Sequence, residues 1–460
     1  MAPDDLPRPR LVPAVPAVGS LASDDRPNVL FVDPVTGDDA HDGQTSASAW
    51  RSLQVAVNRL TPGDTLYLMG GDYRGDRLTP TSSHVEVSVS GTAGAWIRIA
   101  AAPGQKPRIV ATAGNGIEIL GDYVAVEGLT VVGEGFGPDN DYGWGLMTRG
   151  NHHVRLAGNT IAGMAVGGIT SIEATNLEIT GNEVHDNSFW GSEQGSGISL
   201  WHSRDAGTDP GPDGYHDRIV GNLVYRNENK VRSMFRSNPI ITDGNGIIVD
   251  QADQTGYTGR VLVADNVIIN NGGRAVLVLE SSRVDVVHNT TYHNARTAGL
   301  EGGPVELAAG RALDVRFVAN LAWARPGSMA LTVHNARAVV SDSNVFVTDR
   351  PVPRAAETDL VIADFVRLVT LPGEDPVVAD FRPAPGSALV GRPVAALRLP
   401  ALATDADGRA RPDAGAAVGA YEPAPGEQPE RRPPRQPLGP KRYGEGRPPA
   451  AVPGESGGEG

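Results

Sequence analysis

Through the middle of the chain, apolar positions come in pairs separated by one residue, an Asn follows about three residues on, and a second apolar pair closes the unit. HVRLAGNTI, NLEITGNEV, DRIVGNLV, RVLVADNVI, RVDVVHNTT and DVRFVANLA are six copies, built around Asn159, Asn182, Asn222, Asn266, Asn289 and Asn320, and SDSNVFV adds a weaker seventh at Asn344. Alternation with a period of two predicts short strands. A further strand precedes each Asn, starting at 145, 168, 197, 246, 275, 304 and 330 and opening mostly on Gly or Ala. From strand start to Asn is 14 residues at 145, 168, 275 and 330, and 9 or 10 residues lead from Asn159, Asn266 and Asn320 to the next strand, so a regular coil is 23 to 24 residues long. Three strands per coil, each advancing the stack by one inter-strand spacing, predict an all-β fold: a single right-handed parallel β-helix over residues 28–421. Asn residues stacked at one turn of successive coils hydrogen-bond along the stack, so this ladder reads as scaffold rather than chemistry.

The flanks read differently. VLFVDP (29–34), the amphipathic SAWRSLQVAVNRL (48–60) with Trp50, Leu53, Val57 and Leu60 at helical spacing, and PGDTLYL (62–68) predict a strand, a helix and a strand. That unit is expected to cap the stack, which otherwise ends on a bare sheet edge and an open core. Residues 1–27 are rich in Pro and residues 422–460 in Pro, Gly, Glu and Arg, with too little apolar surface to offset the entropy of ordering, so both are expected to be disordered tails. Within the repeats, the interval from Gly197 to Asn222 is 25 residues and that from Asn222 to Gly246 is 24, well beyond the regular values. Insertions therefore gather in residues 187–258, and in solenoids such loops build the binding face.

Composition narrows the partners. With 57 Gly, 36 Pro and 5% aromatics, the chain is rich in turns. A net charge of −14 argues against nucleic acid, which calls for a basic face, while local Arg clusters leave an anionic polysaccharide open as partner. The absence of Cys excludes disulfides, thiol catalysis and zinc–thiolate sites. No stretch reaches the 18 apolar residues of a membrane span. The start of the chain does not read as a signal peptide; a secreted or cell-surface monomer is nevertheless the expectation.

The insertions hold SFWGSEQGSG (188–197), WHSRDAGTDPGPDGYHD (201–217), YRNENKVRSMFR (225–236) and ITDGNGIIVDQAD (241–253). Lys230 is one of three lysines beside 37 arginines, and only Lys can give up a proton near neutral pH, which makes it a candidate base as well as a candidate for a plain solvated side chain. On strand GISLW the alternation points Ser199 and Trp201 outward, and on GIIVD it points Ile248 and Asp250 outward. Trp201 offers a ring face to a sugar, with Trp190, His202, Glu193, Asn245 and Glu228, between Asn227 and Asn229, as further substrate contacts. Asp243 and Asp250 offer hard oxygens to Ca²⁺, although DGNG is also ordinary turn chemistry. Arg274 is expected one coil along from Asp250, paired with it or holding a substrate carboxylate, and Tyr215 and His216 are candidate acids.

FVDPVTGDDAHDGQTSASAWRSLQVAVNRLTPGDTLYLMGGDY resembles the amino-terminal cap of right-handed β-helix proteins of the pectate-lyase superfamily, and PGSALVG followed by TDADGRARPDAGAAVGAYE resembles their carboxy-terminal segment. The resemblance covers residues 28–421. It implies a polysaccharide lyase acting on alginate or a pectin-like polyuronate by β-elimination: a cation, Arg274 or Ca²⁺, neutralises the uronate, Lys230 removes the C5 proton, and Tyr215 or His216 protonates the departing oxygen. Two other readings remain open at this stage. One is a glycoside hydrolase with two carboxyls from Glu193, Asp243 and Asp250; the other is a non-catalytic carbohydrate-binding surface protein.

Overall fold

The computed structural model describes residues 28–352 apart from 76–81, 208–209, 212–213 and 238–239, and, further on, 360–361, 381–383, 387, 389–391, 402, 404–412 and 416–423. Three parallel sheets run the length of the stack. Sheet I has 11 strands from Val29–Val32 to Arg337–Asp342, sheet II has 9 from Ser83–Val87 to Met329–His334, and sheet III has 11 from Gly71–Tyr73 to Leu360–Val361. Each coil visits sheets II, I and III in that order, as in Trp144–Arg149, His152–Ala157 and Thr160–Ala162, and then begins again at Gly167–Ile172. The chain is a parallel β-helix.

Alternation fixes which side chains fill the core. On sheet II, Ile169, Ile198, Ile247 and Val276 stack in one inward row and Ser171, Leu200, Val249 and Val278 in the next. Ile198, Leu200 and Ile247 are fully buried, each contributing about 1.5–3 kcal/mol relative to exposure. The amphipathic stretch 48–60 is helical only over Leu53–Val57, where Leu53, Ala56 and Val57 turn inward. The expected tails fall outside the described residues, except for Glu422 and Pro423; Glu422 is buried, its carboxylate accepting Arg411 Nη1–H (2.7 Å) and the Ala417 N–H (2.9 Å). The packing of the carboxy-terminal segment therefore includes Glu422. Phe381, Ala420 and Tyr421 from it cover Leu223, Tyr225, Val267 and Ile269 on the outside of sheet III.

The Asn ladder stands at the corner between sheets I and III. Asn182 Oδ1 accepts both the backbone N–H (2.9 Å) and the side-chain N–H (3.1 Å) of Asn159, and the same double link repeats from Asn182 to Asn222 and onward to Asn344. A second ladder occupies the corner between sheets III and II: Asn187, Asn227, Asn271 and Asn294, ending on Glu306, whose oxygens accept the Asn294 backbone N–H (2.8 Å) and side-chain N–H (2.7 Å). Both ladders satisfy buried backbone groups that a sharp turn would otherwise leave unpaired.

Topology then decides where the insertions lie. Residues 187–197 and 226–246 leave the corner between sheets III and II, whereas 202–216 and 251–260 leave the corner between sheets II and I. Sheet II is thus the sheet with long loops at both of its edges.

Candidate functional site on the outer face of sheet II

Two outward rows run along sheet II between these rims. One consists of Arg149, Ile172, Trp201, Asp250 and Leu279; the other of Met147, Thr170, Ser199, Ile248 and Leu277. Trp201 and Asp250 are direct register partners, so the indole and the carboxyl stand one strand apart on the same face. Trp201 is 39% exposed, is stacked on His202 at 4.5 Å between ring centroids and 25° between planes, and points its indole N–H at Gln251 Oε1 (3.4 Å). His202 and Gln251 both take left-handed backbone angles, φ 54° and 58°, because the chain turns there from sheet II toward sheet I. His202 is thereby a turn residue, with Nε2 2.9 Å from Gln251 Oε1.

Asp250 is the least satisfied carboxyl on this face. It is half-buried, and its Oδ1 is shielded from water with no hydrogen-bond partner. Burial, followed by repulsion from Asp243 and Glu280, pushes its pKa up to about 8, so that it is mostly protonated at neutral pH. Asp243 has the opposite environment. Thr242 Oγ1–H donates to its Oδ2 (2.7 Å), the Asn245 side-chain N–H donates to its Oδ1 (2.8 Å), and Arg274 adds a favourable charge. Burial still outweighs these contacts and raises its pKa, but only to about 6. Two carboxyls, Asp250 on the face and Asp243 in the loop at its edge, therefore hold their protons differently, Asp250 the more tightly.

Arg274 organises the rim of this site. Its backbone N–H donates to Asn245 Oδ1 (2.8 Å), and its guanidinium donates to the carbonyl oxygens of Thr242 (3.4 Å) and Glu301. It is 7% exposed. It does not pair with Asp250, as the sequence suggested, because it lies one coil along from Asn245, whereas the register neighbour of Asp250 in that coil is Leu279. Glu193 lies further down the same rim, where burial and then Asp141 raise its pKa. Trp190 packs against Trp144, Ala165 and Val166 under that loop.

Other expected site residues have other partners. Lys230 is exposed, its Nζ 3.9 Å from the centre of the Phe189 ring and its backbone N–H donating to Phe189 O (3.4 Å). Glu228 is tied to Arg296 (3.3 Å) and accepts Thr297 Oγ1–H (3.2 Å). Tyr215 is buried on the outer face of sheet I, against Leu262, Ala264 and Val287, and donates to Asp285 Oδ2 (2.6 Å); burial and that carboxylate push its pKa up. His216 follows it there, edge-on to Tyr257 at 6.1 Å. The turn that carries both has already left sheet II, so neither meets Asp243 or Asp250.

Calcium fits this arrangement poorly. Both Asp243 oxygens are engaged, Arg274 already supplies positive charge beside them, and among the described residues no group of three or more His, Cys, Asp or Glu side chains is placed to hold a metal ion. Sequence reasoning missed Thr242 and the Glu301 carbonyl, which hold Asp243 and Arg274, because a turn residue and a main-chain oxygen carry no compositional signal.

No family model matches the chain, and no curated protein matches it. Among solved structures, XylC in complex with xylose is similar with a TM-score of 0.52 at 11% identity, covering 85% of this chain and 98% of that one. A pectate lyase, Pel9A, is similar with a TM-score of 0.46 at 19% identity, covering 86% and 96%, and an alginate lyase from Paenibacillus sp. str. FPU-7 with 0.31 at 15%, covering 64% and 95%. Likeness at these identities concerns the fold, a right-handed parallel β-helix.

Proposed function

We propose that this protein is a carbohydrate-active enzyme that cleaves a polysaccharide lying along the outer face of sheet II, with Asp250 as the proton donor and Asp243 as the base. The observation that carries the reading is the Asp250 carboxyl: half-buried, with one oxygen unpartnered, one strand from the exposed Trp201, and with its pKa pushed up by burial. Paired carboxyls whose environments separate their proton affinities divide acid and base roles between them.

The reaction we favour is β-elimination next to a uronate. Asp243, ionised, takes the C5 proton; the C4–O4 bond breaks as the C4–C5 double bond forms; and Asp250 gives its proton to the departing oxygen. An acidic chain can still receive a uronate here because the charges around the site cancel. Glu301 is paired with Arg236 (3.1 Å) and Glu280 with Arg311 (2.5 Å), Arg274 faces Asp243, and Asp250 is uncharged while protonated. Hydrolysis is the second reading, favoured by the same pair of carboxyls.

A panel of pectins, alginates and neutral glycans, assayed for unsaturated uronate and for reducing ends, tests the proposal. Elimination yields both signals; hydrolysis yields reducing ends alone. Asp250→Asn is expected to lower the rate by roughly 100-fold or more while leaving the fold intact. Cleavage that survives this substitution unchanged removes the site from sheet II.

A further inference from the structure

The rim formed by the loops between sheets III and II continues beyond Arg274. Its next two members, around 295–304 and 325–328, enclose a groove of about 370 Å³ lined by Arg296, Leu300, Pro304, Arg325 and Ser328, among others. No Asp or Glu lines it. Arg296 is partnered by Glu228 (3.3 Å), while Arg325 is half-buried and makes no ion pair among the described residues. Two acids of the adjoining segments are committed. Asp349 accepts the Gly327 N–H (3.0 Å), and the buried Glu306 closes the second Asn ladder. A guanidinium at the side of a groove that feels the buried Glu306 only at a distance and makes no direct ion pair is a ready partner for a planar carboxylate, which it grips with two parallel N–H donors.

The groove shares its wall with the site described above. The 295–304 loop contributes the Glu301 carbonyl that holds Arg274, and Leu300 bridges to Ile241. From the strand of Asp250, Ile247–Asp250, to Met329–His334, which follows Ser328, is three steps along sheet II, or about 14 Å at one strand spacing per step. A glycan running parallel to the stack along the edge that carries Arg274 and Asp243 passes this groove several sugar units on.

We infer that the Arg325 groove is a distal subsite that binds the carboxylate of a uronate unit in the same chain whose cleavage is proposed on sheet II. The inference rests on that reading for its substrate but makes its own claim, that anionic sugar is recognised here. The test is calorimetric binding of oligogalacturonate, oligomannuronate and a fully methyl-esterified oligogalacturonate to the full chain carrying Asp250→Asn, with and without Arg325→Gln or Arg325→Lys. At least one acidic oligomer is expected to bind, the ester to bind far more weakly, Arg325→Gln to weaken the acidic oligomer about ten-fold, and Arg325→Lys to restore only part of that loss. On the otherwise native chain, Arg325→Gln is expected to raise KM and leave kcat unchanged. Equal binding of acid and ester, no binding of either acid, or affinity unchanged in Arg325→Gln overturns the inference. Carboxylate binding without cleavage by the native chain faults the proposed activity alone, and cleavage with KM indifferent to Arg325 faults the groove alone.

Discussion

The two Asn ladders are built from the same hydrogen bonds, yet they border different regions. The corner between sheets I and III carries Asn159 to Asn344 through seven consecutive coils, with backbone links of 2.9–3.0 Å throughout. No long loop leaves it. The corner between sheets III and II has its ladder from Asn187 to Asn294 and a Glu at the end, and from this corner leave the loops that carry Glu193, Lys230, Asp243 and Arg296. A turn that must repeat identically becomes scaffold. A turn pinned by one Asn can let the following residues lengthen at little cost, because the ladder still holds the coil in register and loop closure grows only slowly with length.

Substitutions on either side of that divide sharpen it. The largest effect is expected from Asp243→Asn, a loss of activity of about 100-fold or more with little change in thermal stability, read by steady-state rates beside a melting curve. Next comes Asn266→Ala at the regular corner. Its side chain donates to Asn289 Oδ1 (2.9 Å) and Ile219 O (2.9 Å) and accepts two N–H groups from Asn222 (both 2.9 Å). Its loss is expected to cost about 3 kcal/mol in denaturant unfolding, since several buried groups lose partners together, while residual folded protein keeps its specific activity. The smallest effect is expected from Lys230→Ala, a rate change within about three-fold, since its cation–π contact with Phe189 is worth about 0.5–1 kcal/mol at an exposed position.

The same divide explains what the sequence revealed. Period, strand alternation and the first ladder were legible because a stack repeats its inward residues and its corner Asn at 23 to 24 residues. The second ladder was written there too, five residues after the first in the pairs 182/187, 222/227, 266/271 and 289/294, but the insertions that follow it disguised its period. At the site, alternation alone put Trp201 and Asp250 on one outward face. It gave no hint that Tyr215 and His216, inside the same insertion cluster, cross to sheet I, because crowding in sequence does not tell which edge of a sheet a loop leaves. Lys230 drew attention through its rarity, a compositional property that says nothing of its neighbours.

The pH dependence of kcat/KM on the polysaccharide that is cleaved most directly tests the central claim that Asp250 on sheet II and Asp243 at its edge divide the proton transfers. Asp243 must be ionised, so activity should rise as pH passes about 6; Asp250 must be protonated, so it should fall again as pH passes about 8. A rate that keeps climbing toward the ordinary lysine range near pH 10 would contradict the account and transfer the base role to Lys230.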